Sequence, residues 1–425
     1  GVVFNRLGKL DEANNCLELA LKINPSYAEA YSNRGNLMTD FARYEEALND
    51  YQKAYKLQPD IDYMLGNILN TKMYICIWDE LTEQIDELLL KINKDDKVIG
   101  PFAALTITDD PALQKKVTEI YVNDKFPISN SLRKIGRYPK HKKIRIGYFS
   151  ADFREHPVST LTAELYEIHD RSHFEVYAFS YGPDTKDKMN LRIKAGVDHF
   201  YDVRMMSHKD VVLLSRSLEI DIAIDLGGYT QHSRAEVLLM SAAPIQVNYL
   251  GYSGTMGSEF MDYIIADNII IPEESKHYYS EKITYLPNSF MVNDTKIEVS
   301  KRSFTRQKAG LPSIGFVFCC FNNHYKITPK VFSSWMRILS QVDGSVLWLS
   351  EANKTIIENL INEAENNGID QERLIFAPRL EFIEDHLSRV KLADLFIDTL
   401  PYNAHATTSD ALRMGLPVLT CVGKS

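Results

Sequence analysis

Two hydrophobic rhythms follow one another along this chain. Up to about residue 60, apolar and small positions recur every three or four residues, the period of one helix face. Residues 66 to 140 keep a mostly helical but irregular pattern. "YPKHKKIRIGYFSADF" then marks a sharp change. From Lys143 short apolar runs rich in Val, Ile, Tyr and Phe alternate with amphipathic stretches such as "KDVVLLSRSLE". "KIRIGYFS", "FEVYAFS", "DIAIDLGG", "IQVNYLGY" and "DYIIAD" read as strands. A polar segment, 290 to 313, reads as a linker. A second series follows: "IGFVFCCF", "SVLWLS", "RLIFAP", "DLFIDTL" and "PVLTCV". Strands alternating with helices imply parallel sheets with crossover connections, hence two doubly wound α/β lobes.

The front of the chain repeats itself at a spacing of 34 residues: Ala13 with Ala47, Ala20 with Ala54, Pro25 with Pro59. Small residues let two helices approach closely, and the proline closes the second helix. A helix–turn–helix unit of this period is the tetratricopeptide signature. Such arrays hold protein or peptide partners; the plainer reading is a helical spacer. The chain opens inside a helical pattern without an initiator methionine and stops just after an apparent strand. Further repeats and the last helices of the second lobe are therefore expected beyond its ends. The expected organisation is repeats over 1–66, a helical linker over 67–140, an N-terminal Rossmann-like lobe over 141–296 and a C-terminal Rossmann-like lobe over 297–425, incomplete at its end.

Composition narrows the partners. A net charge of −9 argues against general nucleic-acid binding. The five cysteines show neither CxxC spacing nor a disulfide framework, which fits a reducing, cytoplasmic setting. No apolar run reaches the length of a membrane span. Neither GxGxxG nor a Walker loop occurs, so dinucleotide oxidoreductases and phosphate-loop NTPases lose their main support. The glycine loops "GGYT" and "GYSGTMG" are weak signals, more often turns than ligand sites.

The chemistry gathers at strand ends. "SADFREHPVS" places His156 after the first strand of the first lobe. "FNNHYKITP" places Asn323, His324, Tyr325 and Lys326 after the first strand of the second. "APRLEFIEDHLSR" adds His386 and Arg389 after the third strand, and "DTLPYNAHATTSDALRMGLPVLT" follows the fourth. In that last stretch a helix is expected to begin near Thr408 or Ser409. A helix start offers free N–H groups and the positive dipole end, and small side chains leave an anion room to reach them. Lys326 would add a full charge, suiting a nucleoside diphosphate in the cleft expected between the lobes. Taken singly, the Ser and Thr residues are ordinary caps, the histidine beside proline is structural and the lysine is a surface charge. Their joint placement at strand ends carries the reading.

On these residues the sequence resembles the nucleocytoplasmic O-linked N-acetylglucosamine transferases and their bacterial relatives. That family joins tetratricopeptide repeats to a GT-B glycosyltransferase. The resemblance spans nearly the whole chain, through "RIGYFSADFREHPVS", "APIQVNYLGYSGTMG", "MDYIIAD", "YSEKITYLP", "FNNHYKITP", "SVLWL" and "ADLFIDTLPYNAHATTSDAL". The short linker is like that of the bacterial members, without the domain inserted in animal enzymes.

What the resemblance implies is an inverting, metal-independent transfer of N-acetylglucosamine from UDP-GlcNAc to Ser or Thr of proteins, with no cofactor beyond the donor. Lys326 matches the lysine that stabilises the leaving diphosphate, and His156 the histidine facing acceptor and sugar, as base or positioning residue. Asn323 falls near the diphosphate, His386 and Arg389 around the uridine. His405, Thr407, Thr408 and Asp410 fall at the donor-binding helix start, with Asp410 on the ribose. Three departures stand out: Ala406 where a threonine is usual, Ser253 in place of the proline of "GYPGT", and one extra residue in "RLEFIEDH". Acceptor proteins are expected to bind through the repeats. Alternative donors are UDP-glucose, for transfer to asparagine, and GDP-fucose; a silent nucleotide-sensing scaffold is a reading of another class.

Overall fold

The structure, a computed structural model, describes residues 1, 3–4, 9–127, 132 and 135–425. It divides into two compact units, Gly1–Asp109 with Val299–Gly423 and Asp110–Glu298 with Lys424–Ser425.

The first unit opens with helices α1 (Leu10–Ile23), α2 (Ala28–Asp40) and α3 (Tyr44–Leu57). α3 begins and ends 34 residues after α1, as the repeat predicts. Ala13, Ala47 and Ala54 are fully buried at the helix contacts, and Ala20 is half-buried. Gly35 sits inside α2, where glycine costs about 1 kcal/mol relative to alanine. A Cβ there would stand 2.5 Å from the Tyr51 ring of α3, so the glycine permits that close contact. Asp50 of α3 receives both arms of the Arg34 guanidinium at 2.7 Å. α4 (Met64–Tyr74), α5 (Leu81–Asn93) and α6 (Pro101–Ile107) continue the unit.

The second unit begins with α7 (Pro111–Lys125), capped by the Asp110 carboxylate. Residues 128–131 and 133–134 of the expected helical linker lie outside the described residues. Then come β1 (Ile144–Ser150), α8 (Pro157–Ile168), β2 (Phe174–Ser180), α9 (Lys188–Gly196), β3 (His199–Asp202), α10 (His208–Ser217) and β4 (Ile222–Asp225). α11 (Ala235–Leu239), β5 (Ile245–Asn248), β6 (Tyr263–Ala266) and β7 (Lys282–Tyr285) complete it. The sheet is parallel in the order β3-β2-β1-β4-β5-β6-β7. Central strands buried on both faces need near-continuous apolar runs, which is why β1 and β2 stand out in the sequence. Phe149 and Phe179 share a register position and stack at 4.4 Å.

The polar segment 290–313 contains one short 3₁₀ turn and otherwise no regular structure. It is nonetheless anchored. In the second unit Asp294 is fully buried and paired with Arg192 of α9, which also binds Glu167 at 2.7 Å. Arg192, and Lys296 beside it, pull the Glu167 carboxyl down to about 2.

The first unit resumes with β8 (Val317–Cys320), α12 (Pro329–Gln341), β9 (Val346–Ser350), α13 (Lys354–Asn366) and β10 (Leu374–Ala377). α14 (Ile383–Val390), β11 (Leu395–Ile397), α15 (Ala406–Arg413) and β12 (Val418–Leu419) follow. The order is β10-β9-β8-β11-β12, all parallel. The repeat helices and this sheet share one core, in which Trp348, Phe332, Phe396 and Leu37 are buried. Trp78 packs on Phe332 at 5.3 Å, and the Asn359 amide donates to Ile75 O at 2.8 Å. Among the described residues no helix is long and apolar enough to cross a membrane.

Removing one partner of a buried pair strands the other. Arg192→Met should therefore cost about 3 kcal/mol in urea unfolding. Amide exchange at 292–297 should accelerate with it. An unchanged midpoint would show that Asp294 does not depend on Arg192.

Candidate active site

In the first unit the chain leaves β8 through Phe321, Asn322 and Asn323 and makes one 3₁₀ turn over His324–Lys326. Thr328 then caps α12. This turn folds Lys326 back into the protein, where it is 8% exposed. Its ammonium donates to Asn403 O at 2.9 Å and lies 3.8 Å from the centre of the Tyr402 ring. Burial lowers its pKa to about 8, against the opposing charge of Asp398. The sequence suggested a charge added from a neighbouring loop; the structure shows one held inside it.

The loop after β11 is built on Asp398. One carboxylate oxygen accepts from Asn322 Nδ2 at 3.1 Å, Thr399 N at 2.7 Å and Ala404 N at 2.8 Å. The other accepts from Asn403 Nδ2 at 3.2 Å and Thr420 Oγ1 at 2.7 Å. Once Ala404 N is bound to Asp398, the chain is free to turn, and α15 starts at Ala406. This corrects the expected start at Thr408 or Ser409. Alanine, the best helix former, takes the first position, and Thr407 and Thr408 lie within the first turn. His405 is the N-cap but makes no side-chain cap bond. The N–H groups of Ala406 to Thr408 have no intrahelical acceptor, as at any helix start.

Thr407 donates its hydroxyl to Asn322 Oδ1. Thr408 Oγ1 is buried without a partner. His405 lies half-buried beside Tyr402, ring centres 5.4 Å apart. Burial and the nearby Lys326 ammonium press its pKa down to about 3, so it is neutral. Asp410, one turn along, is pushed up to about 6 by burial. Lys326, His405, Thr407, Thr408 and the start of α15 thus gather around one loop.

His386 and Arg389 share α14. Arg389 is 7% exposed and donates to Pro378 O and to His386 Nδ1, the latter at 3.1 Å from Nη2. A guanidinium cannot accept, so His386 Nδ1 carries no proton and Nε2–H is its donor. Burial, then Arg389, lowers the His386 pKa to about 4.

The two adjacent asparagines are placed differently. Asn323 is exposed at the start of the 3₁₀ turn, while Asn322 is 2% exposed and joins Asp398, Thr399 and Thr407. The sequence reading does not single out Asp398 or Asn322, although a carboxylate closing "DLFID" is a visible signal. A cavity of about 590 Å³ shares Thr328, Asp398 and Thr399 with this region. Lys326 does not line it, and its walls include Leu81, Ile85, Trp335 and Leu419, so it is a separate apolar space.

In the second unit His156 is the N-cap of α8, its Nδ1 accepting from Val158 N at 3.3 Å. Asp152 Oδ2 stands 3.6 Å away, beyond hydrogen-bond range. The neutral ring, favoured by burial, therefore carries its proton on Nε2. At the end of β4, Asp225 is 2% exposed and accepts from Gly227 N and Gly228 N at 2.9 and 3.1 Å. Burial raises its carboxyl to about 6. The glycine loops have packing reasons: a Cβ on Gly251 would meet Leu226 O at 1.9 Å, and one on Gly228, where φ is +54°, would meet Tyr252 at 2.4 Å.

Helical repeats followed by two parallel α/β sheets, one ending in a buried lysine beside a helix start, make the plan of the GT-B-like class. The chain belongs to glycosyl transferase family 41, whose model matches residues 117–303 and 296–425. Tetratricopeptide-repeat models match 1–39 and 28–61. A relative from Arabidopsis thaliana, the probable UDP-N-acetylglucosamine–peptide N-acetylglucosaminyltransferase SEC, is 30% identical over 374 residues. That match covers 83% of this chain and 38% of the relative. A Caenorhabditis elegans UDP-N-acetylglucosamine–peptide N-acetylglucosaminyltransferase is 24% identical over 70% of this chain and 35% of its own length. The chain thus spans little more than a third of these relatives. A mutant of the Thermobaculum terrenum O-GlcNAc transferase shares the fold, with a TM-score of 0.78 at 24% identity, covering 99% of this chain and 80% of that one.

The His386 geometry is open to direct measurement. In ¹⁵N spectra its ring should be protonated on Nε2 and bare on Nδ1, and should stay neutral down to about pH 4. Titration near pH 6.5 would show that neither burial nor Arg389 governs it.

Proposed function

We propose that the protein is an inverting protein O-GlcNAc transferase that uses UDP-GlcNAc and needs no metal. The observation that carries this is the buried Lys326 ammonium beside the start of α15. An acceptor Ser or Thr hydroxyl attacks the anomeric carbon, and the bond to UDP breaks on the opposite face. The negative charge gained by the leaving diphosphate needs fixed donors, which Lys326 and the first N–H groups of α15 supply. A site of preset dipoles around a desolvated cation does this without reorganising in the transition state. His405, being neutral, adds a hydrogen bond without competing for charge. His386 Nε2–H suits a carbonyl of the base, and Asp410 the ribose hydroxyls. His156, arranged as a donor, suits positioning rather than proton removal; a donor phosphate oxygen takes the acceptor's proton. The repeats hold the acceptor protein. The relatives' names support the choice of donor and acceptor class.

The test uses the full chain with UDP-GlcNAc, UDP-glucose and GDP-fucose and reads peptide mass. A peptide gaining N-acetylhexosamine from UDP-GlcNAc alone is expected, with equal rates in Mg²⁺ and in EDTA. UDP should bind in preference to GDP in calorimetry. Lys326→Met should lower the transfer rate about 100-fold or more. Because Lys326 acts protonated, transfer should fall as pH rises through about 8. UDP binding without transfer would favour a nucleotide-sensing scaffold, and no nucleotide binding would leave only a partner-binding one.

A further inference from the structure

We propose that Asp398 is a positioning residue whose carboxylate, through Asn403, Ala404 and Asn322, fixes Lys326 and the first turn of α15 as one diphosphate cradle. This rests on the glycosyltransferase reading above and adds a residue to it. Two chain segments must be held together for such a cradle: the turn after β8, carrying Lys326, and the loop after β11, leading into α15. Asp398 touches both. Toward the first it accepts from Asn322 Nδ2. Toward the second it accepts from Thr399 N and Ala404 N, which set the loop's path to His405.

Each link reaches a group of the cradle in one step. Asn403 donates its amide to Asp398 and offers its backbone carbonyl to Lys326 Nζ. Asn322 donates to Asp398 and accepts from the Thr407 hydroxyl in the first turn of α15. Two carboxylate oxygens have about four lone-pair sites, and the five donors Asn322, Thr399, Ala404, Asn403 and Thr420 already occupy them. Nothing of the carboxylate is left for a substrate, so Asp398 acts through its neighbours.

A plain loop staple would use the same bonds, so charge must separate the two roles. The groups facing Lys326 are Asp398, neutral His405 and the buried Cys320 thiol, with the Tyr402 ring beside the ammonium. Asp398 alone of these supplies a counter-charge. Removing that charge should make Lys326 lose its proton at lower pH; removing only a hydrogen-bond link should not.

The experiment is calorimetric UDP binding by the full chain from pH 7 to 10, where a terminal phosphate of pKa about 6 is fully charged. Wild-type affinity should fall as pH passes about 8. Asp398→Asn should bind about 10-fold more weakly at pH 7 and show its alkaline fall about one pH unit lower. Asn322→Ala, which keeps the carboxylate, should bind several-fold more weakly with the fall unmoved. Wild-type affinity in Asp398→Asn, or equal losses in both variants at every pH, would overturn the assignment. Should Asp398→Asn fail to fold in a thermal melt, Asn322→Ala and Asn403→Ala carry the test. Unchanged UDP affinity in both would then overturn it. Wild type that binds no UDP at any pH would instead remove the glycosyltransferase reading itself, before any variant is compared.

Discussion

A lysine ammonium kept inside the protein is the constraint around which the first unit is arranged. Moving the Lys326 pKa from 10.5 to about 8 corresponds to roughly 3 kcal/mol against its charged form. The Asn403 carbonyl and the Tyr402 face offset part of the desolvation, and Asp398 opposes it from the loop. What remains is a cation short of counter-charge, next to a helix start whose dipole has the same sign. Such a place repels cations and is relieved by an anion carrying more than one negative charge. Burial thus costs stability in the free protein, a cost that binding such an anion would return as affinity. The same crowding explains why His405 stays neutral: a second positive charge there would compound the cost.

The α/β plan was legible because central parallel strands are covered on both faces and so read as unbroken apolar runs. All five strands of the second sheet and five of the first stood out as apolar runs, β10 and β12 at the edges included. The two that did not, β3 and β7, are the edges of their sheet. "HFYD" is half-exposed, and "KITY" alternates exposed and half-buried residues. Neither has a fully buried residue, so nothing requires an unbroken apolar run there; β10 and β12 are edges as well but keep theirs in "RLIFAP" and "PVLTCV".

The site was legible by type but not by orientation. Histidines, threonines and a lysine at strand ends announce a polar site, and the helix start announces an anion. Which of two adjacent asparagines turns inward depends on how the chain leaves β8, and the sequence of "FNNHYK" does not say. Asn322 enters the network because it directly follows the buried Phe321, while Asn323 begins the 3₁₀ turn and faces outward. The start of α15 was misplaced for a related reason. Ser and Thr are good caps, so residue preference pointed to Thr408 or Ser409. The tertiary bond from Ala404 N to Asp398 ends the loop earlier and overrides that preference.

The helices ahead of β8 in the first unit are more than a spacer, and the reason lies in aromatic contacts between segments far apart in sequence. Tyr44, at the start of α3, stacks on Tyr74 at the end of α4, ring centres 4.7 Å apart. Tyr74 meets Tyr325 at 4.8 Å, and Phe102 of α6 meets both Tyr325 and Tyr402 edge-on. Tyr325 immediately precedes Lys326, and Tyr402 lies against its ammonium. Each such pair contributes about 1 kcal/mol beyond the area it buries. The turn that buries the lysine is therefore braced from the helical side as well as from the sheet. A 3₁₀ turn of one residue triplet has little stability of its own, and a charge held 8% exposed pulls it toward solvent. The rings supply the opposing force, so the helical region is part of what keeps the cation in place.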